Sequence, residues 1–527
     1  MENKNKHHRP KRLVIWALLA MLAAAFILRV ANIENIPYGI YPDEAQNGVD
    51  AQIANKTGEY KLFYETNNGR EGLFINIQAL SIKFFGSTTF ALKLPSIIFG
   101  TLTVLGVFLL TYELLQSYIA ALLGAYFVTF SYWAINFSRI GFRAIMVPMI
   151  LVFTFYFIFR GLRTKKIHDF IIAGLIYGLG VHTYIAFRVS PLVMIVLLAF
   201  LIITYKNFLA EYWKHIATFA IAMFVTAAPM LLDFFYFHPE HYVSRTSSIS
   251  ILNPDVNQGH ILPLLAKTIG LSIQKYFAVG DFNMRHNYPP YPLLNPILGI
   301  SFLIGFIYLI VKFFRLLTDR FKNKKRDKKL YIYALLLSWF FALLIPEFLA
   351  YEGNPHALRA IGTLPAVIII AIYPFMWVIN NYRSFGHSFR LFILSITSAV
   401  LLFIAISDTV KYFVFFANNP KQHEAFEGNL KEVSNYIRTL PLVREKFIVT
   451  GSMQRLTIDY LNLNMPGIFY MYPDEINSMT PQERENFTVI FTDPDWNRIN
   501  MLRNKFQGIK FEEHRNNFND TFYVLKY

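Results

Sequence analysis

Apolar residues in this chain gather into long runs that polar residues interrupt only briefly. Eleven such segments lie at 13–31, 90–113, 117–136, 143–161, 169–186, 189–205, 214–235, 293–315, 330–350, 358–380 and 390–415. Most are about 17–25 residues long, the helix length that crosses roughly 30 Å of hydrocarbon, so each is predicted to be a transmembrane helix. After 415 the pattern changes. Runs shorten to strand length in "KFIVTG" (446–451), "GIFYMY" (467–472), "FTVIFTD" (487–493) and "FYVLKY" (522–527), and they alternate with helical stretches near 424–440, 454–463 and 496–506. The expected fold is mostly α. A polytopic membrane domain of about 11 transmembrane helices covers 1–415, and a small C-terminal α/β domain of about 110 residues, enough for a core of its own, covers 416–527.

Composition strengthens this reading. Of the residues 54% are hydrophobic, 17% aromatic and only 16% charged, and the mean hydropathy is +0.36, too apolar for a soluble globule. The charges then orient the chain. With the N-terminus inside, "RGLRTKK" (160–166), "YKNFLAEYWK" (205–214), "RLLTDRFKNKKRDKK" (315–329) and "NNYRSFGHSFR" (380–390) all fall on the cytoplasmic side. Residues 32–89, 236–292 and 351–357 and the tail domain then lie outside, where function is expected. "KNKHHRPKR" (4–12) has the look of a secretory n-region, but no small-residue cleavage site follows, so the first segment is expected to remain as an anchor. The net charge of +16 reads as topology plus attraction to anionic membrane lipid, and no aromatic-basic module points to nucleic acid. The absence of cysteine excludes disulfides, thiolate zinc sites and thiol catalysis.

The tetrapeptide YPDE occurs at 41–44 and again at 472–475. In the first copy Pro42 followed by Asp43 and Glu44 predicts a helix start, whose free N–H groups and dipole favour ionised carboxylates and hence a base. The second copy, Asp474-Glu475, follows a strand in the tail domain and reads as a turn. The first copy also has company on the same expected face. "NNGREGLF" (67–74) adds Glu71, and arginines and histidines recur at the outer turns: Arg139 and Arg143, Arg188, Arg245, Arg285 and His286, His356 and Arg359. One such arginine is ordinarily an interfacial residue reaching headgroups. Their recurrence fits a substrate with a lipid tail and a phosphate, since arginine grips phosphate oxygens bidentately and keeps its proton. One base and one displacement at a sugar carbon would invert the anomeric centre, whereas a glycoside hydrolase needs a second, raised-pKa acid. "HPEH" (238–241) offers two histidines with no third ligand nearby in sequence and reads as a loop rather than a zinc site.

The Asp-Glu pair after the first span, "GREGLF", "FSRIGFR", "HTYIAFR" (182–188) and "PHALRAIG" (355–362) together resemble the bacterial protein-mannosyltransferase-like branch of the GT-C membrane glycosyltransferases, which includes aminoarabinose transferases, over residues 13–415. The resemblance implies an inverting transferase that moves a sugar from a polyprenyl-phosphate donor to a hydroxyl of a protein, lipid or polysaccharide. It makes Asp43 the base with Glu44 beside it, Glu71 the second acid and Arg139 the phosphate contact. The Lys-Pro-Pro that follows the second acid in aminoarabinose transferases is absent. No cofactor is assigned; a divalent cation, if one takes part, falls to Asp43 and Glu71. Two other readings stay open: a secondary transporter, which would place its polar residues at mid-depth, and a lipid-linked glycan polymerase or ligase, which lacks the first-loop acid pair.

Overall fold

The computed structural model describes residues 11–243, 250–472, 475–478 and 486–527. Among them nine helices are long and apolar enough to cross a membrane: Arg12–Val30, Thr89–Leu115, Arg143–Thr164, Ile185–Thr204, Phe208–Phe237, Pro296–Lys322, Lys329–Phe348, Ile361–Asn381 and His387–Phe416. A tenth is the pair Tyr118–Phe130 and Tyr132–Ser138, bent by 59°. The remaining apolar segment, expected over 169–186, is the shorter helix Ile167–Leu179 with a 3-10 turn at Gly180–His182. All eleven segments are therefore helical, but nine or ten rather than eleven have the length and apolarity of a full span.

The bend has a local cause. The Ser131 N–H closes the first helix on the Phe127 carbonyl at 3.0 Å, while its hydroxyl accepts from the Ala134 N–H at 3.4 Å and caps the second. Arg29, wholly buried, occupies the break. Its Nε donates to Ser138 Oγ at 3.0 Å and its Nη2 to the Val128 carbonyl at 3.2 Å, so the backbone groups released by the break partner a cation that would otherwise be unsatisfied.

The chain divides into two compact units that do not follow a single cut. The first comprises the residues up to Ala31, Leu62–Leu73 and Ser96–Tyr412. Within it strands β1 (Phe63–Tyr64) and β2 (Arg70–Glu71) pair antiparallel. The second gathers Asn32–Lys61 and Phe74–Pro95 with Phe413–Tyr527. Its five-stranded sheet has the order β4-β3-β5-β7-β6, from β3 (Glu445–Val449), β4 (Ile468–Met471), β5 (Phe487–Phe491), β6 (Lys510–Arg515) and β7 (Thr521–Lys526). Strands β3, β4 and β5 run parallel, and β7 is antiparallel to both β5 and β6. Alternation along the strands builds a core on each face. Ile448, Ile490 and Val524 pack with Leu430, Val433 and Ile458 of the helices Gly428–Thr439 and Ser452–Leu461. Phe447, Val489 and Leu525 pack with Ile499 and Leu502 of Trp496–Lys505 on the other face, which makes three layers.

The tail does not stand alone within this unit. Helix Pro42–Thr57 starts at Pro42 as predicted and ends at Gly58, whose φ of +78° suits glycine at that cap. It lies against Ser452–Leu461, where Gln52 Nε2 donates to the Tyr460 carbonyl at 3.1 Å and the Thr457 hydroxyl donates to the Ile40 carbonyl at 2.9 Å. Lys431 donates to the Glu34 carbonyl, and burial pushes its ammonium down to about 8, with Lys93 adding to the shift.

Candidate active site

In the first unit the chemistry centres on Glu71. Pairing of β2 with β1 holds its backbone, and its side chain is nearly wholly buried. One carboxylate oxygen accepts from Arg143 Nε at 2.9 Å, and the other accepts from Arg188 Nη2 at 3.3 Å. Arg188 also donates to the Tyr242 carbonyl at 2.7 Å, and its guanidinium lies 4.6 and 4.7 Å from the ring centroids of Phe234 and Tyr242. Arg143 stands over the Tyr184 ring at 5.5 Å. These aromatic flanks hold the guanidinium planes while leaving edge N–H groups for other partners. Arg188 Nε is buried and has no hydrogen-bond partner among the described residues.

A cavity of about 910 Å³ opens beside this group, lined by Tyr184, Arg188, Tyr242, Asp281, His356 and Arg359 among others. Asp281 is a fixed carboxylate: it accepts from the Ala357 N–H at 2.7 Å and the Asn283 N–H at 2.8 Å. His286 Nδ1 approaches it at 3.3 Å, and the His286 and His356 rings are 4.7 Å apart. Burial, then the neighbouring His286, Arg359 and Lys275, push the His356 imidazole well below its usual range, so it is neutral at neutral pH. Arg359 donates from its Nη1 to the Glu352 carbonyl at 2.6 Å. Behind them Lys275 and Glu347 form a wholly buried ion pair, and Glu347 accepts from the His356 N–H at 2.9 Å. Asp281, His286 and His356 bring one ligand atom each within 4.8 Å of one another, as do His238, Glu240 and His241. Neither set contains Asp43 or Glu71.

In the second unit Asp43 and Glu44 occupy the first turn of Pro42–Thr57. Glu44 is wholly buried with Oε1 3.8 Å from Lys93 Nζ, itself wholly buried. Asp43, one step round the helix, is partly exposed.

Residues 73–232 match the family model described as dolichyl-phosphate-mannose-protein mannosyltransferase. Among solved structures, the fold is similar to that of ArnT from Cupriavidus metallidurans bound to undecaprenyl phosphate, at 12% identity, 98% coverage of each chain and a TM-score of 0.54. The apo form of the same protein gives 11%, 98% and 0.51. This chain has an ArnT-like fold. No curated protein sequence matches. The match to ArnT spans the tail domain as well as the membrane helices, so it reaches beyond the 13–415 over which the motifs resemble the family.

Within this scaffold the expected site residues sort into separate groups. Arg143 and Arg188 join Glu71, while His286, His356 and Arg359 gather around Asp281 and the cavity. Arg285 lies next to His286, held through its carbonyl, which accepts from Asn136 Nδ2 at 3.0 Å. Arg139 has a different setting. Its Nη1 donates to the Leu28 and Arg29 carbonyls at 2.9 Å each, its Nη2 to the Ala31 carbonyl at 2.7 Å and its Nε to Tyr412 Oη at 3.2 Å, so it ties off the C-terminus of Arg12–Val30. Arg245 and Asp474 lie outside the described residues. Glu475 begins a 3-10 turn and accepts from the Tyr472 N–H at 2.9 Å, the local role expected of the second YPDE copy. Sequence reasoning missed Asp281, Tyr184 and Tyr242. Asp281 sits in "GDFNMRHNYPPYP" five residues before His286, and a carboxylate that close to a histidine in an expected outer loop was the available signal.

Proposed function

We propose that this protein is an inverting glycosyltransferase that moves a hexosyl or pentosyl group from a polyprenyl-phosphate donor to a hydroxyl of a protein, lipid or polysaccharide acceptor. The reading is carried by Arg188, which lines a 910 Å³ cavity in an ArnT-like fold and whose buried Nε has no hydrogen-bond partner among the described residues. The ArnT structure of the same fold holds undecaprenyl phosphate, a ligand of the proposed donor's class. The acceptor oxygen attacks the anomeric carbon as the bond from that carbon to the phosphate oxygen breaks, and charge builds on the departing lipid phosphate. Arg143, Arg188 and Arg359, with Arg285, His286 and His356 near them, are assigned to that charge. Asp43 takes the acceptor proton. Glu71 orients two of the arginines, and Arg139 anchors the first helix. The catalytic face is assigned to the extracytoplasmic side, which makes a lipid-carried donor necessary.

Mass spectrometry of cell-envelope glycans and lipids with and without the gene identifies the product. Asp43→Asn is expected to reach the membrane in normal amount and to lower transfer about 10²–10⁴-fold. Retention of more than half the activity would remove Asp43 as base.

A further inference from the structure

A second cavity lies at the end of the helix bundle remote from Glu71 and Asp281. Arg359 stands two residues before helix Ile361–Asn381, whose 21 residues carry the chain roughly 30 Å to its last turn. There a cavity of about 500 Å³ lies between the last turns of Thr89–Leu115 and Ile361–Asn381, the first turn of Lys329–Phe348 and the middle of Pro296–Lys322. The basic loops join these helix ends, so the proposed topology puts the cavity on the cytoplasmic side. Its inner end is set by a close crossing. Helices Pro296–Lys322 and Ile361–Asn381 meet backbone to backbone at Gly305, where a Cβ would collide with the Ile370 carbonyl, and one turn earlier Ser301 Oγ donates to the Ala371 carbonyl at 2.7 Å. Pro374 offers no N–H to that Ile370 carbonyl, and a proline inside a helix bends it. Gly305 and Pro374 both line the cavity, which extends from the crossing toward the loops.

Polarity rises along it turn by turn. Ile304 lies at the deep end, Tyr308 one turn on, and Lys312 a turn further, its ammonium 5.6 Å from the centroid of the Tyr308 ring. On the facing helix the same steps run through Tyr373 and Trp377 to Asn380. The rings of Tyr308, Tyr333 and Tyr373 cluster with centroids 5.7–6.5 Å apart, and Lys329 stands at the mouth. Among the described residues neither Lys312 nor Lys329 forms an ion pair, and residues 315–329 carry eight basic side chains against two acidic. The wall is open sideways as well, since Ile304 is 53% and Trp377 65% exposed on a part of the chain that faces hydrocarbon. An exposed tryptophan at this level marks the membrane–water boundary. A volume of 500 Å³ is within the roughly 300–1,000 Å³ of small-molecule sites. Apolar depth, a side opening to lipid, phenol donors and cations at the mouth together match a molecule with an acyl chain and an anionic phosphate, whereas a soluble anion leaves the depth and the side opening unused.

We infer that this cavity binds an anionic phospholipid of the cytoplasmic leaflet, its phosphate met by Lys312, Lys329 and the tyrosine hydroxyls and an acyl chain laid along Ile304. It is a site apart from the one proposed for the polyprenyl-phosphate donor, at the opposite end of helix Ile361–Asn381.

The test uses the full chain in phosphatidylcholine nanodiscs containing a low, equal mole fraction of dibrominated phosphatidylglycerol or dibrominated phosphatidylcholine, with quenching of tryptophan fluorescence as the readout. The chain has six tryptophans, so the contribution of Trp377 is taken as the difference between the wild type and Trp377→Phe. That contribution should be quenched several-fold more strongly by the phosphatidylglycerol. Lys312→Gln/Lys329→Gln, with its fold checked by thermal unfolding, should lower the apparent affinity for it by about 5-fold per lysine removed. Lys324→Gln/Lys325→Gln, which removes the same charge from the loop outside the cavity, should leave the preference in place. Equal quenching by the two lipids in the wild type would overturn the site, as would an equal loss of preference in the two double variants, which would reduce the effect to general attraction by the loop. Quenching by neither lipid, the result of a second copy of the chain seated on the cavity, would overturn it too. Millimolar soluble glycerol phosphate should not reverse the quenching; reversal would assign the cavity to a free phosphate instead. No arm measures sugar transfer, so the outcome is independent of the proposed activity.

Discussion

Asp43 and Glu44 are adjacent in sequence and differ in surroundings because a helix turns each successive side chain by about 100°. That step leaves Asp43 partly exposed and buries Glu44 against Lys93. Removing one partner of a buried pair leaves the other charge uncompensated, at a cost of about 3 kcal/mol. Glu44→Gln is therefore expected to lower the unfolding temperature of the purified protein, and Glu44→Gln combined with Lys93→Met to recover most of the loss. Equal unfolding temperatures for the single and double variants would show that the pair is not what holds Glu44. The arginines are separable in a similar way. Lysine keeps the charge of Arg188 or Arg359 but loses the planar fork, so each Arg→Lys variant should raise KM for the lipid donor about 10-fold and leave the acceptor KM nearly unchanged. Equal changes for both substrates would assign these residues to structure.

Two glycines distinguish packing from propensity at the level of elements. A Cβ on Gly48 would lie 2.4 Å from the Tyr460 ring, which is fixed by the Gln52 bond to its carbonyl and by its own hydroxyl donating to the Thr88 carbonyl at 2.8 Å. Overpacking costs about 1–3 kcal/mol, while alanine in a helix interior gains at most about 1 kcal/mol over glycine, so Gly48→Ala should be destabilising. Gly270, in the helix Ile261–Gln274, has nothing within 4 Å of the same position, so there the propensity gain stands alone and Gly270→Ala should be neutral or stabilising. Thermal unfolding of the two variants checks the opposite signs. Strand β6 was illegible in the sequence for a related reason. "KFEEHR" is an edge strand with a single large apolar residue, and only its pairing with β7 defines it. The four tail strands that were legible are the ones with apolar alternation or continuous apolar runs.

For the whole molecule, the proposed orientation rests on lysine and arginine in the short loops. Asn68→Cys is expected to react with a membrane-impermeant thiol reagent in intact cells, and Lys324→Cys only after permeabilisation; the chain has no other cysteine to confuse the readout. The reverse pattern would overturn the topology and the need for a lipid-linked donor with it.

Apolar run length located all eleven apolar helices, since a bilayer requires about 20 residues with every backbone group satisfied within the helix, but it overcounted full spans at 169–186, where the helix is shorter. Local chemistry likewise determined the helix start at Pro42 and the short-run rhythm of the tail. Tertiary structure decided what each polar residue touches. Arg139 and Arg143 both belong to "NFSRIGFR", yet one ties off a helix end and the other meets Glu71. It also decided that Asn32–Lys61 belongs with the tail, and that "HPEH" has Asp233 and Glu65 beside it. Burial and partnership depend on segments far apart in the chain, and no local pattern of hydrophobic and polar positions carries that information.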